Sequence, residues 1–156
     1  MLTEEQNLIV AQLEKAAKSG DAEDAYQALL ATFVEFEKDG KFRVQTVPSL
    51  IKILTYLNHY SHEDIVRLLQ QAKDSRAVDA LYNAAVTIPE YQQDYDGGAA
   101  LARKCTWALA DIGNAESYHK LQLLAKNSNS EIAGYAQKRI DLWSEELPRK
   151  GHQFKP

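Results

Sequence analysis

Residues 99–143, AALARKCTWALADIGNAESYHKLQLLAKNSNSEIAGYAQKRIDLW, carry three amphipathic stripes of helical period separated by two short turns. Leu101, Cys105, Ala108, Leu109 and Ile112 recur on one face of the first, and Gly113 stops it. Asn114 is placed to cap the second, whose inner face holds Tyr118, Leu121, Leu124 and Ala125. After a polar turn over 127–130, Ile132, Ala136, Ile140 and Trp143 form the third stripe. Turns this short force neighbouring helices to run antiparallel, and the interspersed alanines let them approach closely.

The same grammar runs upstream. Thr3 with Gln6 reads as a capping box ahead of Ile9, Leu13 and Ala16. Asp21 opens a second helix with Tyr26, Leu29, Leu30, Phe33 and Phe36 expected inward. Asp39-Gly40 interrupts the pattern, Lys41–Val47 reads as a loop or extended connector, and Pro48 suits the first turn of a third helix bearing Leu50, Ile53, Leu54 and Leu57. Ser61 opens a fourth with Ile65, Leu68, Leu69 and Ala72, and a fifth carries Val78, Leu81, Tyr82 and Ala85. No segment alternates as a strand does.

About eight helices in antiparallel pairs predict an all-α fold: a right-handed α–α superhelix of about three to four pairs over residues 1–147, with 148–156 a flexible basic tail. A 53-residue shift lays Ser61 on Asn114 and Leu68 on Leu121, and an insertion at Thr87–Gly98 would account for a step longer than a usual repeat. A compact, non-repetitive helical bundle satisfies the same pattern.

Composition narrows the function. A chain of 156 residues with 45% hydrophobic content can bury a core without staples, and its single cysteine, Cys105, falls on an apolar stripe, where a thiol is inert. No apolar run nears the roughly 20 residues needed to cross a bilayer, and a cytoplasmic monomer is expected. Residues 1–40 hold nine acidic and three basic side chains, against six and nine in residues 99–156, a gradient that disfavours nucleic acid and suits a basic protein partner. No phosphate loop, nucleophile elbow or CxxC pair is present, so neither enzymatic activity nor a cofactor is expected.

Thr87–Gly98, TIPEYQQDYDGG, is the one segment that such a fold does not require. Tyrosines among carboxylates make an amphipathic surface for a protein partner, so Glu90, Tyr91, Asp94, Tyr95 and Asp96 are the candidate binding residues. Trp107, offset from its helix's apolar stripe, is a sixth. Asp94-Asp96-Gly97 lacks the later ligands of a calcium loop, and His59 and His62, at a helix junction, are expected to serve capping and solvation rather than a metal.

The ALADIG segment, its short turn and the LQLLAKNSNSEI helix resemble HEAT-like α-helical repeats over the last 45 or so residues, more weakly over 48–86. In size, acidity and lack of a catalytic motif the chain also resembles HEAT-like immunity proteins of bacterial polymorphic toxin systems. That resemblance implies a protein that neutralises a cognate toxin by covering its active or substrate-binding surface. A scaffold or adaptor that holds a helical peptide in the solenoid groove is the other function this style of repeat implies.

Overall fold

A computed structural model describes all residues, 1–156. It is all-helical: α1 (Glu4–Ser19), α2 (Ala22–Phe36), α3 (Gly40–Leu54), α4 (His62–Ala72), a 3-10 turn (Ser75–Ala77), α5 (Val78–Val86), the single turn α6 (Glu90–Gln93), α7 (Ala99–Ile112), α8 (Ala115–Leu124), α9 (Ser130–Asp141) and α10 (Trp143–Lys150). The start signals act as read. Thr3 and Gln6 close a capping box, Asp21 accepts from the Asp24 N–H, and Asn114 and Ser117 close a second box. Gly20 and Gly113 end their helices in the left-handed region, at φ 65° and 71°.

The long helices pack as four pairs, α1/α2, α3/α4, α5/α7 and α8/α9, in two layers. α1, α3, α5 and α8 form one layer; α2, α4, α7 and α9 form the other. Within a layer, polar contacts recur at nearly constant sequence separation. Tyr56 donates its hydroxyl to the Ala17 carbonyl, 39 residues away, and Asn58 donates to Gly20, 38 away. Gln70 donates to Asp111 at a separation of 41, and Glu63 with Lys104 and Asp79 with Lys120 stand equally far apart. The working step is therefore about 40 residues. The 53-residue match instead superposes α4 on α8, which lie in opposite layers, so no insertion is needed to explain it.

Three stretches depart from the sequence reading. Lys41–Val47 is helical rather than a loop, because Asp39 accepts from the Lys41 N–H and starts α3 at Gly40. Pro48 thus sits mid-helix, where it cannot donate to the carbonyl of Val44. The Arg76 guanidinium takes that carbonyl at 3.1 Å while gripping both oxygens of Asp74, and the grip holds the Asp74 carboxyl below its usual range. In α2 the buried face is Ala25, Ala28, Leu29, Thr32 and Phe36; Tyr26 and Leu30 lie outward. Small residues let α1 close on that side, so the helix is turned by most of one residue from the face its largest side chains suggested.

The tail is docked rather than frayed. α10 runs through Pro148, and Gln153 and Phe154 both donate backbone N–H to the Gly113 carbonyl. Trp143 donates its indole N–H to Phe154 O at 2.9 Å and faces the buried His152 ring at 4.1 Å. Lys150 pairs with Asp111 and Glu146, both at 2.8 Å. A boundary at residue 147 is not observed.

A methyl on Gly113 would meet His152 Cδ2 at 2.6 Å, on a backbone with positive φ. Gly113→Ala is expected to destabilise by about 2–4 kcal/mol, combining backbone strain with overpacking. Leu109→Ala, at a fully buried position, should cost about 2–5 kcal/mol. Urea denaturation of the two variants checks both, and a loss within about 0.5 kcal/mol would contradict the packing described.

Candidate functional site

The turn between α3 and α4, LTYLNHYSH, folds around two imidazoles. The His59 Nε2–H donates to Ile53 O at 2.8 Å, and its Nδ1 accepts the Ser61 N–H at 3.0 Å. The His62 Nε2–H donates to Tyr56 O at 2.7 Å, and its Nδ1 accepts the Tyr91 hydroxyl at 2.9 Å. The tautomers follow from these partners, since each Nδ1 faces a donor and each Nε2 a carbonyl. The rings stack at 4.0 Å with an 11° interplanar angle. Both residues are buried, where solvation and capping had been expected.

Two stacked imidazoles in a dry turn cannot both carry charge. Burial, reinforced by the neighbouring His59 and opposed by the bond to Tyr56 O, pushes His62 down to about 4. Burial also lowers His59, against the bond to Ile53 O. With every ring nitrogen engaged, neither residue has a lone pair free for a metal ion. The pair acts as a structural clasp that ties the end of α3 to α4 and, through Tyr91, to α6.

α6 begins after Pro89 and closes on itself: the Gln92 carbonyl accepts from Tyr95, Asp96 and Gly97. Tyr91 points inward, its hydroxyl also accepting from Gln92 Nε2 at 3.3 Å, and burial raises its pKa above the ordinary tyrosine value. Its ring meets Tyr60 edge-on at 5.0 Å. Glu63, beneath, is paired with Lys104 of α7 at 2.8 Å. Leu57, Asn58, His59, Tyr60, Glu90 and Tyr91 line a shallow recess of about 280 Å³ at this edge.

The sequence-predicted residues separate into three roles. Glu90, Asp94 and Tyr95 face solvent, Tyr95 at 86% exposure, and neither carboxylate has an ion-pair or hydrogen-bond partner in the chain. Asp96 is turned inward as an anchor for α7, its two oxygens accepting from the Gly98 and Ala100 N–H groups at 2.9 and 3.0 Å. Trp107 lies on the outer face of α7, 37% exposed, its ring under the Arg103 guanidinium at 5.2 Å. Tyr60, absent from the sequence reading, extends the tyrosine edge at 79% exposure, and Leu57 joins it because α3 ends at Leu54, which leaves Leu57 in the turn at 53% exposure and not on the helix's inner stripe. The signal for Tyr60 was present, since a tyrosine flanked by histidines in a turn is well placed for display.

The buried Cys105 thiol is raised far above its ordinary pKa and is no nucleophile. No helix is long and apolar enough to cross a membrane. Comparison with protein-family models, curated proteins and solved structures finds no match, so the reading of this edge rests on its own residues.

The clasp makes stability depend on pH. His59 and His62 stay neutral when folded but protonate near pH 6.5 when unfolded, so their contribution is complete above that value and is lost progressively as pH falls toward 4. The denaturation midpoint should drop between pH 7 and 5. His62→Gln, which can still donate to Tyr56 O and accept from Tyr91, should flatten the slope in part, since His59 and the lowered His152 still act in the same window. An unchanged slope in that variant would contradict the neutral clasp.

Proposed function

We propose that the chain is a HEAT-like protein-recognition module acting as a monomer in the cytoplasm. In this reading it is an immunity protein that neutralises a cognate bacterial toxin by covering a basic active or substrate-binding surface. The observation that carries the reading is the display of Tyr60 and Tyr95, with the free carboxylates of Glu90 and Asp94 beside them, on a base held by the His59–His62–Tyr91 clasp. Tyrosines supply large contact area at small entropic cost, and a base that is already ordered loses little freedom on binding. Carboxylates without internal partners are available to lysines and arginines of the partner. The net charge of −4, concentrated toward the N-terminal helices, would add electrostatic steering. The step of about 40 residues between same-layer neighbours agrees with a HEAT-like repeat of roughly 40–47.

Co-expression with a candidate toxin, sought among the products of genes adjacent to the one for this chain, tests this. The wild-type chain should restore growth, while Glu90→Lys combined with Asp94→Lys should abolish rescue with the melting temperature unchanged. Tyr60→Ala or Tyr95→Ala should each weaken binding of the purified pair by more than about 1 kcal/mol if it is an anchor. Full rescue by all these variants would move the interface off this edge, most plainly to the acidic helices of residues 1–40.

A further inference from the structure

The layer formed by α2, α4 and α7 presents a second surface with the opposite charge. Of the six arginines, Arg67 and Arg103 alone make neither an ion pair nor a hydrogen bond. Each guanidinium is instead laid on an aromatic ring, Arg67 on Phe33 at 5.1 Å and Arg103 on Trp107 at 5.2 Å. Stacking orients a guanidinium while leaving its in-plane N–H groups free, the arrangement suited to gripping a carboxylate from two sides.

The two sites belong to one face. The pairs Glu63–Lys104 and Gln70–Asp111 set α4 and α7 side by side in register, which puts Arg67 level with residue 108 and thus beside Trp107. Phe33 joins the strip to α2, where Leu30 and Val34, one turn apart, stand about half exposed. Neighbouring helix axes lie roughly 8–10 Å apart, so the face spans on the order of 20 Å from Leu30 to Trp107. That is the length of roughly six residues of extended chain or thirteen of helix.

We propose that this face binds a peptide segment combining carboxylates with large apolar side chains: the acids on Arg67 and Arg103, the apolar groups against Leu30, Val34 and Trp107. Charge selects this occupant. A second copy of the chain docked by the same face about a two-fold axis would oppose arginine to arginine. A basic segment would leave both guanidiniums facing like charge; the carboxylates near the strip are Glu37 and Glu23 at its α2 ends, Asp64 at the start of α4, and Glu63 and Asp111, which already hold Lys104 and Lys150, while Glu23 accepts from Gln27. Nucleic acid would bring phosphates to two cations and then meet those same carboxylates on a chain of net charge −4.

Selection from a random 16-residue displayed-peptide library on the purified full chain tests the proposal, with one selected peptide free of tryptophan synthesised for titration by the chain's own tryptophan fluorescence. Enriched sequences should join Asp or Glu to Leu, Phe, Ile or Trp. Binding should change the emission of the wild-type chain and not of Trp107→Phe, because Trp143 is buried. Arg67→Glu with Arg103→Glu should weaken affinity at least tenfold, and Arg67→Gln with Arg103→Gln should do so in the same direction with less disturbance of the fold. Tyr95→Ala should leave it unchanged, which separates this face from the tyrosine edge. Enrichment of basic peptides, no enrichment at all, or affinity indifferent to both arginine pairs would overturn the proposal. A single-stranded oligonucleotide that binds the wild-type chain and is released by the arginine substitutions would also overturn it, in favour of a nucleic-acid site.

Discussion

Everything else in the molecule is placed by the burial of α7. This helix packs against α4 and α9 in its own layer and against α5 and α8 in the other, with Ala102, Cys105, Ala108, Leu109 and Ala110 all removed from solvent. Three alanines and a cysteine at these positions bring the backbones close, so dispersion contacts are dense and the register of α7 against α4 is narrowly set. Both ends are pinned. Asp96 holds the first N–H groups, and Gly113 turns the chain under the strap of residues 152–154. Because α7 cannot slide, Lys104 meets Glu63 and Asp111 meets Gln70, and the exposed side chains between them keep fixed spacing.

Around that core the polar groups form a second set of constraints. A proline in the middle of α3 would leave the Val44 carbonyl without a donor, and an arginine one helix pair later supplies one. The turn before α4 buries two imidazoles, and only the neutral pair fits, since each Nδ1 already faces an N–H or O–H donor. Such arrangements specify the turn more sharply than apolar packing would, because any misplacement strands a buried donor or acceptor.

Much of this was legible in the sequence, and the parts that were not share a cause. Capping boxes at Thr3 and Asn114, the left-handed stops at Gly20 and Gly113, and the apolar stripes of α1, α4, α5, α7 and α9 are local signals, read from residues within one or two turns. The start of α3 at Gly40 rests on the local Asp39 cap, but the donor that replaces the one Pro48 lacks comes from Arg76, 32 residues after Val44, and the orientation of α2 depends on how closely α1 can approach alanines. The tail docks because a glycine carbonyl far upstream accepts its N–H groups. For the candidate site the same distinction holds. Exposure of Tyr95 follows from composition and turn signals, and the anchoring of α7 by Asp96 is equally local, its donors lying two and four residues on, whereas the inward turn of Tyr91 needs a histidine 29 residues earlier.

Formal charge along the chain also misleads until pairing is considered. The basic excess of residues 99–156 includes Lys104, Lys120, Arg139 and Lys150, each of which faces a carboxylate. The partly exposed pairs of Lys104 and Lys120 add little stability, commonly under about 1 kcal/mol, and those of Arg139 and Lys150 are largely buried, yet each pair removes a charge from what an approaching molecule experiences. What remains unpaired is therefore more informative than the total. On the α6 edge it is Glu90 and Asp94 beside two tyrosines; on the α2–α4–α7 face it is Arg67 and Arg103 on aromatic rings. Both sets stand on rigid elements, the first on the imidazole clasp and the second on helices locked by α7. Free charge on a preordered, aromatic support would bind without first spending entropy on its own ordering, and both proposed interfaces rest on that shared property.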